Sequence, residues 1–141
     1  MKDSVVIFGA GAVGRGFIAR LLAANELTPV FVEADVQLAR RLSEVDGYLV
    51  HVTGAEILDS HVSGYEVLTP EQSGEISQAL ANCLFMATAV GGRNLETVAR
   101  VVTAGLAGVS KRRAKRLNIL LCENWPNAEK VLAEALLKVG C

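Results

Sequence analysis

Apolar and polar positions along the chain follow two periods. Ser4 to Phe8 (SVVIF) is short, β-branched and apolar on both faces, which predicts a strand buried in a parallel sheet, ending at Gly9. Val13, Phe17, Ile18, Leu21 and Leu22 then recur at helical spacing, predicting a helix that lays one apolar stripe on that sheet. Pro29 to Glu33 (PVFVE) predicts a second strand. Asp35 is placed to cap a helix with inner face Leu38, Ala39, Leu42 and Val45, ended by Asp46-Gly47.

The next segment has a different rhythm. YLVHV, EILDSHV and YEVL are short β-rich pieces divided by Thr53-Gly54 and Ser63-Gly64, predicting a small β excursion over residues 48–68. Thr69-Pro70-Glu71-Gln72 carries a helix-start pattern, with a Thr cap, Pro at the first helical position and Gln three residues after the cap. Cys83 to Val90 (CLFMATAV) predicts another buried strand, ending in Gly91-Gly92. Asn94 is placed to cap a helix carrying Leu95, Val98, Val102 and Leu106 on one face. Leu117 to Cys122 (LNILLC) predicts a further buried strand. Asn124-Trp125-Pro126 then opens a last helix with stripe Ala128, Val131, Leu132, Ala135 and Leu136, closed by Gly140. This alternation predicts an α/β fold with a doubly wound, mostly parallel sheet, occupying residues 1–141 as one domain.

Composition narrows the functions open to such a fold. The formal net charge is −1, so no basic excess is available to hold a nucleic-acid backbone. Cys83, Cys122 and Cys141 are odd in number and lie in or beside apolar segments, which argues for reduced thiols over a disulfide framework. No apolar run approaches the ~20 residues needed to span a bilayer. The apolar stretch near Met1 is broken by Asp3, Gly9 and Gly11 and has no cleavage-type ending. The expectation is a cytoplasmic protein without a membrane partner.

The chemistry begins at Gly9-Ala10-Gly11-Ala12-Val13-Gly14, a G-x-G-x-x-G motif that follows a predicted strand and opens a predicted helix. Gly9 permits the tight turn, Gly11 lets a pyrophosphate approach the backbone, and Gly14 lets the helix lie close on the strand. N–H groups at the helix start are oriented to hold phosphates. Glu33 follows Gly14 by 19 residues, the station of an acid that accepts hydrogen bonds from adenosine ribose hydroxyls and repels a 2′-phosphate. Together these features predict a Rossmann-type dinucleotide site that takes NAD in preference to NADP. Arg40 and Arg41, at helix-interior positions, read as a solvated face and not as a phosphate partner.

Thr88-Ala89-Val90-Gly91-Gly92 lies at the carboxyl end of the predicted fourth strand, where ligands of open α/β sheets sit. These small residues either line a passage for the ribose and nicotinamide or simply form a tight turn. Asn124, after Glu123 at the same edge, either bonds a ribose or substrate hydroxyl or caps the next helix. His51 and His61 have no ligand-spaced partner, so no metal site is expected. Lys111 to Arg116 (KRRAKR) reads as a solvated loop. Cys122 lacks an evident base and is not read as a nucleophile.

The stretch FGAGAVGRGFIARLL (Phe8 to Leu22), followed in order by FVEAD, YLVHVTG, HVSGYEVL, ATAVG and LNILLCEN, resembles the amino-terminal half of the mannitol-1-phosphate dehydrogenases of the mannitol dehydrogenase family. The resemblance runs through essentially the whole chain, and the Arg15-Gly16-Phe17-Ile18 continuation is more specific than the glycines. It implies NAD-dependent, reversible oxidation of D-mannitol 1-phosphate to D-fructose 6-phosphate. The family's nucleotide stretch maps onto Val5 through Gly16, its ribose acid onto Glu33, and its strand-end contacts onto Thr88, Ala89, Val90 and Asn124. The cofactor-binding candidates are therefore Phe8, Gly9, Ala10, Gly11, Ala12, Val13, Gly14, Glu33, Thr88, Ala89, Val90 and Asn124.

Ala12-Val13 departs from the Asn-Ile often found in the family, which removes a polar side chain but keeps the backbone donors. The resemblance also implies that the family's catalytic lysine, with its Asn and His, belongs to a helical carboxyl-terminal domain. Its Lys-x-x-x-x-Asn-x-x-His pattern does not occur here. No catalytic residue is nominated, and the chain alone is expected to bind cofactor without turnover. Rival readings are a free-standing NAD-binding regulatory module, an NADP-dependent reductase of related fold, and a glycine-turn scaffold for a partner protein.

Overall fold

The computed structural model describes residues 2–54, 58–107, 109 and 116–141. Ser4–Phe8 forms β1, with Val5 to Phe8 all buried. The chain leaves the glycines through a π-helical stretch, Gly14–Ala19, that runs into α1, Arg20–Ala24. Only part of the expected stripe faces inward. Ile18 and Leu22 are buried, whereas Val13, Phe17 and Leu21 are 46%, 54% and 41% exposed. The i→i+5 winding turns less per residue than an α-helix, so positions chosen on a 3.6-residue period drift off one face.

β2 is Thr28–Val32, and Glu33 lies immediately beyond it with its N–H on the Leu68 carbonyl at 2.9 Å. The Asp35 carboxylate caps α2 (Val36–Ser43) as expected, accepting from the Gln37 and Leu38 N–H groups at 3.0 and 3.1 Å. Ala39 and Leu42 face inward, but Val45 lies past the helix end and is half exposed.

The β excursion divides. β3 (Gly47–Val52) and β4 (Leu58–Ser63) form an antiparallel ribbon, while β5 (Glu66–Leu68) joins the main sheet in parallel beside β2. Residues 55–57, at the start of the expected EILDSHV piece, lie outside the described residues. Two tyrosines tether the excursion. Tyr48 Oη donates to the Arg15 carbonyl and Tyr65 Oη to the Leu42 carbonyl, each at 3.0 Å, and the Tyr65 ring meets Phe31 edge-on. Burial is the main cause that raises both phenol pKa values, so both hydroxyls stay protonated donors at neutral pH.

α3 begins at Ser73, later than the Thr69-Pro70 signal suggested, and runs to Asn82. The Gln72 side chain accepts from the Thr69 N–H at 2.9 Å, and the Gln72 N–H bonds back to the Thr69 carbonyl at 3.0 Å. The capping-box pair therefore closes a separate turn ahead of the helix. β6 is Met86–Thr88, shorter than the apolar run containing it, and a 3₁₀ turn at Gly92–Asn94 leads into α4, Leu95–Leu106. β7 is Ile119–Leu121 and α5 is Ala128–Lys138. Lys111 to Lys115 of the basic run lie outside the described residues, and Arg116 is exposed.

Among the described residues the main sheet has five strands, all parallel, in the order β5-β2-β1-β6-β7. Register aligns Leu68, Val32, Phe8, Thr88 and Leu121 across the sheet, so the strands finish along one edge. One face packs Val6, Phe8, Val30, Val32 and Met86 beneath α3, α4 and α5. The other packs Val5, Ile7, Phe31 and Ala87 against Ile18, Leu22, Leu42 and Val62. This is the doubly wound arrangement expected. β7, read from sequence as buried, is instead an edge strand: Leu120 is 50% exposed, and Ile119 and Leu121 are only partly covered. No described helix is long and apolar enough to cross a membrane.

Candidate cofactor site

The strand ends frame a cleft of about 360 Å³. Phe8, Gly9 and Gly11 come to it from β1, Val32 to Asp35 from β2, Ala89 and Val90 from β6, and Leu38, Pro70, Thr97, Val98 and Val101 from the flanking helices and turn. Its lining is mostly apolar, as a planar base requires, with two carboxylates, Glu33 and Asp35, just past the end of β2.

The glycines divide by what surrounds them. Gly9 has φ +97°, and a Cβ there would collide with the Ala89 carbonyl oxygen. A Cβ on Gly14 would collide with the Gly9 carbonyl. Both are required by the fold itself. Gly11 differs, because its φ is ordinary and a Cβ would meet nothing within 4 Å. Neither backbone conformation nor packing explains a glycine there, yet it borders the cleft at the start of the first helix. The space it leaves open is the space an approaching diphosphate needs. The first N–H groups of that helix have no preceding turn to bond, which leaves donors for an anion.

Glu33 joins the glycine loop to the end of β2. Its Oε2 accepts from the Ala10 N–H at 2.6 Å and its Oε1 from the Asp35 N–H at 2.8 Å. The sequence pattern places an acid here but does not reveal this clasp. Each oxygen accepts one N–H and has capacity for another donor, and Glu33 lines the cleft, so the carboxylate can still receive a hydroxyl. Ala10, fully buried with its N–H given to Glu33, contributes to the site through that bond.

Of the other candidates, Ala12 and Val13 are exposed on the opening turn, and neither they nor Gly14 lines the cleft. Thr88 lies fully buried below the cleft, with Oγ1 unpartnered among the described residues. Asn124 is exposed and outside the cleft lining. It does not cap α5 either; Asn127, at φ +53°, takes that station. Asn94 precedes α4 without capping it through its side chain, and its Nδ2 donates instead to the Val90 carbonyl at 2.7 Å.

Sequence reasoning passed over Glu123. Its Oε1 accepts from the Val90 N–H and its Oε2 from the Gly91 N–H, both at 2.9 Å, tying the end of β7 to the β6 loop. Beside it, burial and then the Glu123 charge push the Cys122 thiol pKa up, the opposite of an activated nucleophile. No group of three or more His, Cys, Asp or Glu suited to a metal occurs among the described residues. His51 pairs with Asp59 on the exposed ribbon at 2.8 Å.

A parallel sheet of this order, a glycine loop opening the first helix and an acid after the second strand define a Rossmann-type dinucleotide-binding domain. Two solved structures share the fold across 96% of this chain. One is octopine dehydrogenase in complex with NADH and agmatine (TM-score 0.66, 13% identity, 32% of that chain), the other glycerol-3-phosphate dehydrogenase from Coxiella burnetii (0.64, 14%, 38%). The chain belongs to the mannitol dehydrogenase family: the profile of its Rossmann domain matches residues 3–140. Mannitol-1-phosphate 5-dehydrogenase of Geobacillus thermodenitrificans is 35% identical over 130 residues, 92% of this chain. The chain spans only about a third (34%) of that enzyme's length.

Proposed function

We propose that this chain is the NAD(H)-binding domain of a polyol-phosphate dehydrogenase, one that interconverts D-mannitol 1-phosphate and D-fructose 6-phosphate together with a second domain. The observation that carries this reading is the meeting of Gly11 and Glu33 at one apolar cleft. Gly11 and the first helical N–H groups hold the diphosphate, Glu33 receives the adenosine ribose hydroxyls, and Val32, Leu38, Pro70, Val98 and Val101 enclose the adenine. The Glu33 charge disfavours a 2′-phosphate at the same place. The bound nicotinamide supplies the hydride acceptor.

Among the described residues, the cleft lining does not supply the base. Removing the alcohol proton needs a group within about 3 Å of the hydroxyl, and of the two cleft-lining carboxylates Asp35 caps α2 while Glu33 is assigned to the adenosine ribose. The relatives' greater length supports a second domain that brings it. The half-exposed Phe17, Leu21 and Leu120, on the α1 side of the sheet, are the kind of surface such a domain covers. Calorimetric titration of the purified chain with NADH tests the assignment. Saturable binding, weaker binding of NADPH and no mannitol-1-phosphate-dependent reduction of NAD are expected. Absence of heat with millimolar NADH would remove the cofactor assignment, and turnover would remove the two-domain one.

A further inference from the structure

We infer that Glu123 is a positioning residue that shapes the cofactor cleft from its far side, acting through the Val90–Gly91 backbone. The inference deepens the NAD(H) reading and rests on it. Successive N–H groups of Val90 and Gly91, the latter at φ +83°, are directed to one side and hold an anion between them. Here the anion comes from the chain itself. Both carboxylate oxygens are engaged, one per N–H, in a fork that a shorter or uncharged side chain does not reproduce.

The consequence passes along the loop to the ligand. Ala89 and Val90 line the cleft, and the Ala89 carbonyl packs against Gly9 where no Cβ has room. Asn94, itself in the cleft wall, holds the Val90 carbonyl from the other side at 2.7 Å. The Cys122 N–H on the Thr88 carbonyl at 2.9 Å extends the β6–β7 ladder up to this point. Beyond that rung, among the described residues, Glu123 carries the hydrogen bonds from the end of β7 to the loop. Released from it, Val90 and Gly91 regain freedom, and the wall facing the glycine turn loosens.

Trp125, the single tryptophan, provides the readout, because its ring packs over Gly92 where a Cβ would collide with it. Tryptophan emission and NADH affinity are compared in the wild-type chain, Glu123→Gln and Glu123→Ala. For Glu123→Ala the expected result is a red-shifted emission and an NADH affinity lower by about tenfold, one charge-assisted hydrogen bond's worth, with a cooperative melt retained. Glu123→Gln, keeping one acceptor, is expected between the two. Wild-type emission and affinity within twofold in Glu123→Ala would overturn the inference. So would equal losses in both variants accompanied by a lost cooperative melt, the mark of a purely structural role. If the wild-type chain itself binds no NADH, the functional reading fails, while the emission comparison still decides whether Glu123 sets the loop.

Discussion

Two carboxylates hold the two sides of the cleft, and the strands that carry them differ in kind. Glu33 follows β2, a central strand whose inner residues are almost fully buried, and it clasps the Ala10 N–H across to β1. Glu123 follows β7, an edge strand with Leu120 half exposed, and it clasps Val90 and Gly91 across to β6. Each ties adjacent strand ends together with charge-assisted bonds to backbone. The β1–β2 side is held independently by a continuous buried core, which leaves Glu33 available for the ribose role proposed above. The β6–β7 side has a three-residue ladder and partial cover, so its carboxylate carries more of the local order. Similar chemistry thus does different work according to the packing beneath it.

The largest test of this contrast lies at the loop between the two sides. Gly9→Ala places a side chain at positive φ and against the Ala89 carbonyl, and is expected to destabilise the fold by about 3 kcal/mol, lowering Tm by roughly 10 °C. Gly11→Ala meets open space, so its Tm should stay within about 2 °C while NADH affinity falls by tenfold or more. Thermal melts and calorimetry on both variants separate fold from site; equal melting losses would erase the distinction.

Next in size is Glu33→Ala. Losing a charged acceptor for the ribose is expected to weaken NADH by roughly ten- to a hundredfold, about 1.5–3 kcal/mol, and to narrow its advantage over NADPH. Titrations with both cofactors check this, and an unchanged ratio would detach Glu33 from the ribose. The smallest effect belongs to the edge. Leu120→Ala should lower stability by less than about 1 kcal/mol, against about 3 kcal/mol for fully buried Ile7→Ala on β1. Denaturant midpoints of the pair measure how unequal the two sides are.

Much of this was legible in the residues. A strand, three spaced glycines, a helix and an acid after the next strand are local events, and the fold places each where that pattern implies. The Asp35 cap was equally readable, because donor and acceptor lie within three residues. Glu123 was not. Its partners are 32 and 33 residues away, and a carboxylate at a strand end looks the same whether it is solvated or clasped. Nor did the 3.6-residue period foresee a π-helical first turn, or that Thr69 and Gln72 would close a turn of their own.

Short-range chemistry therefore determined from the sequence alone which elements form, where the glycine loop lies and which acid follows it. Only the tertiary structure decided that the third piece of the β excursion enters the main sheet, that β7 ends as a half-covered edge, and that a second carboxylate locks the cleft. These outcomes depend on strand order and register, which are settled by competition among distant apolar faces for cover. No residue carries that information by itself.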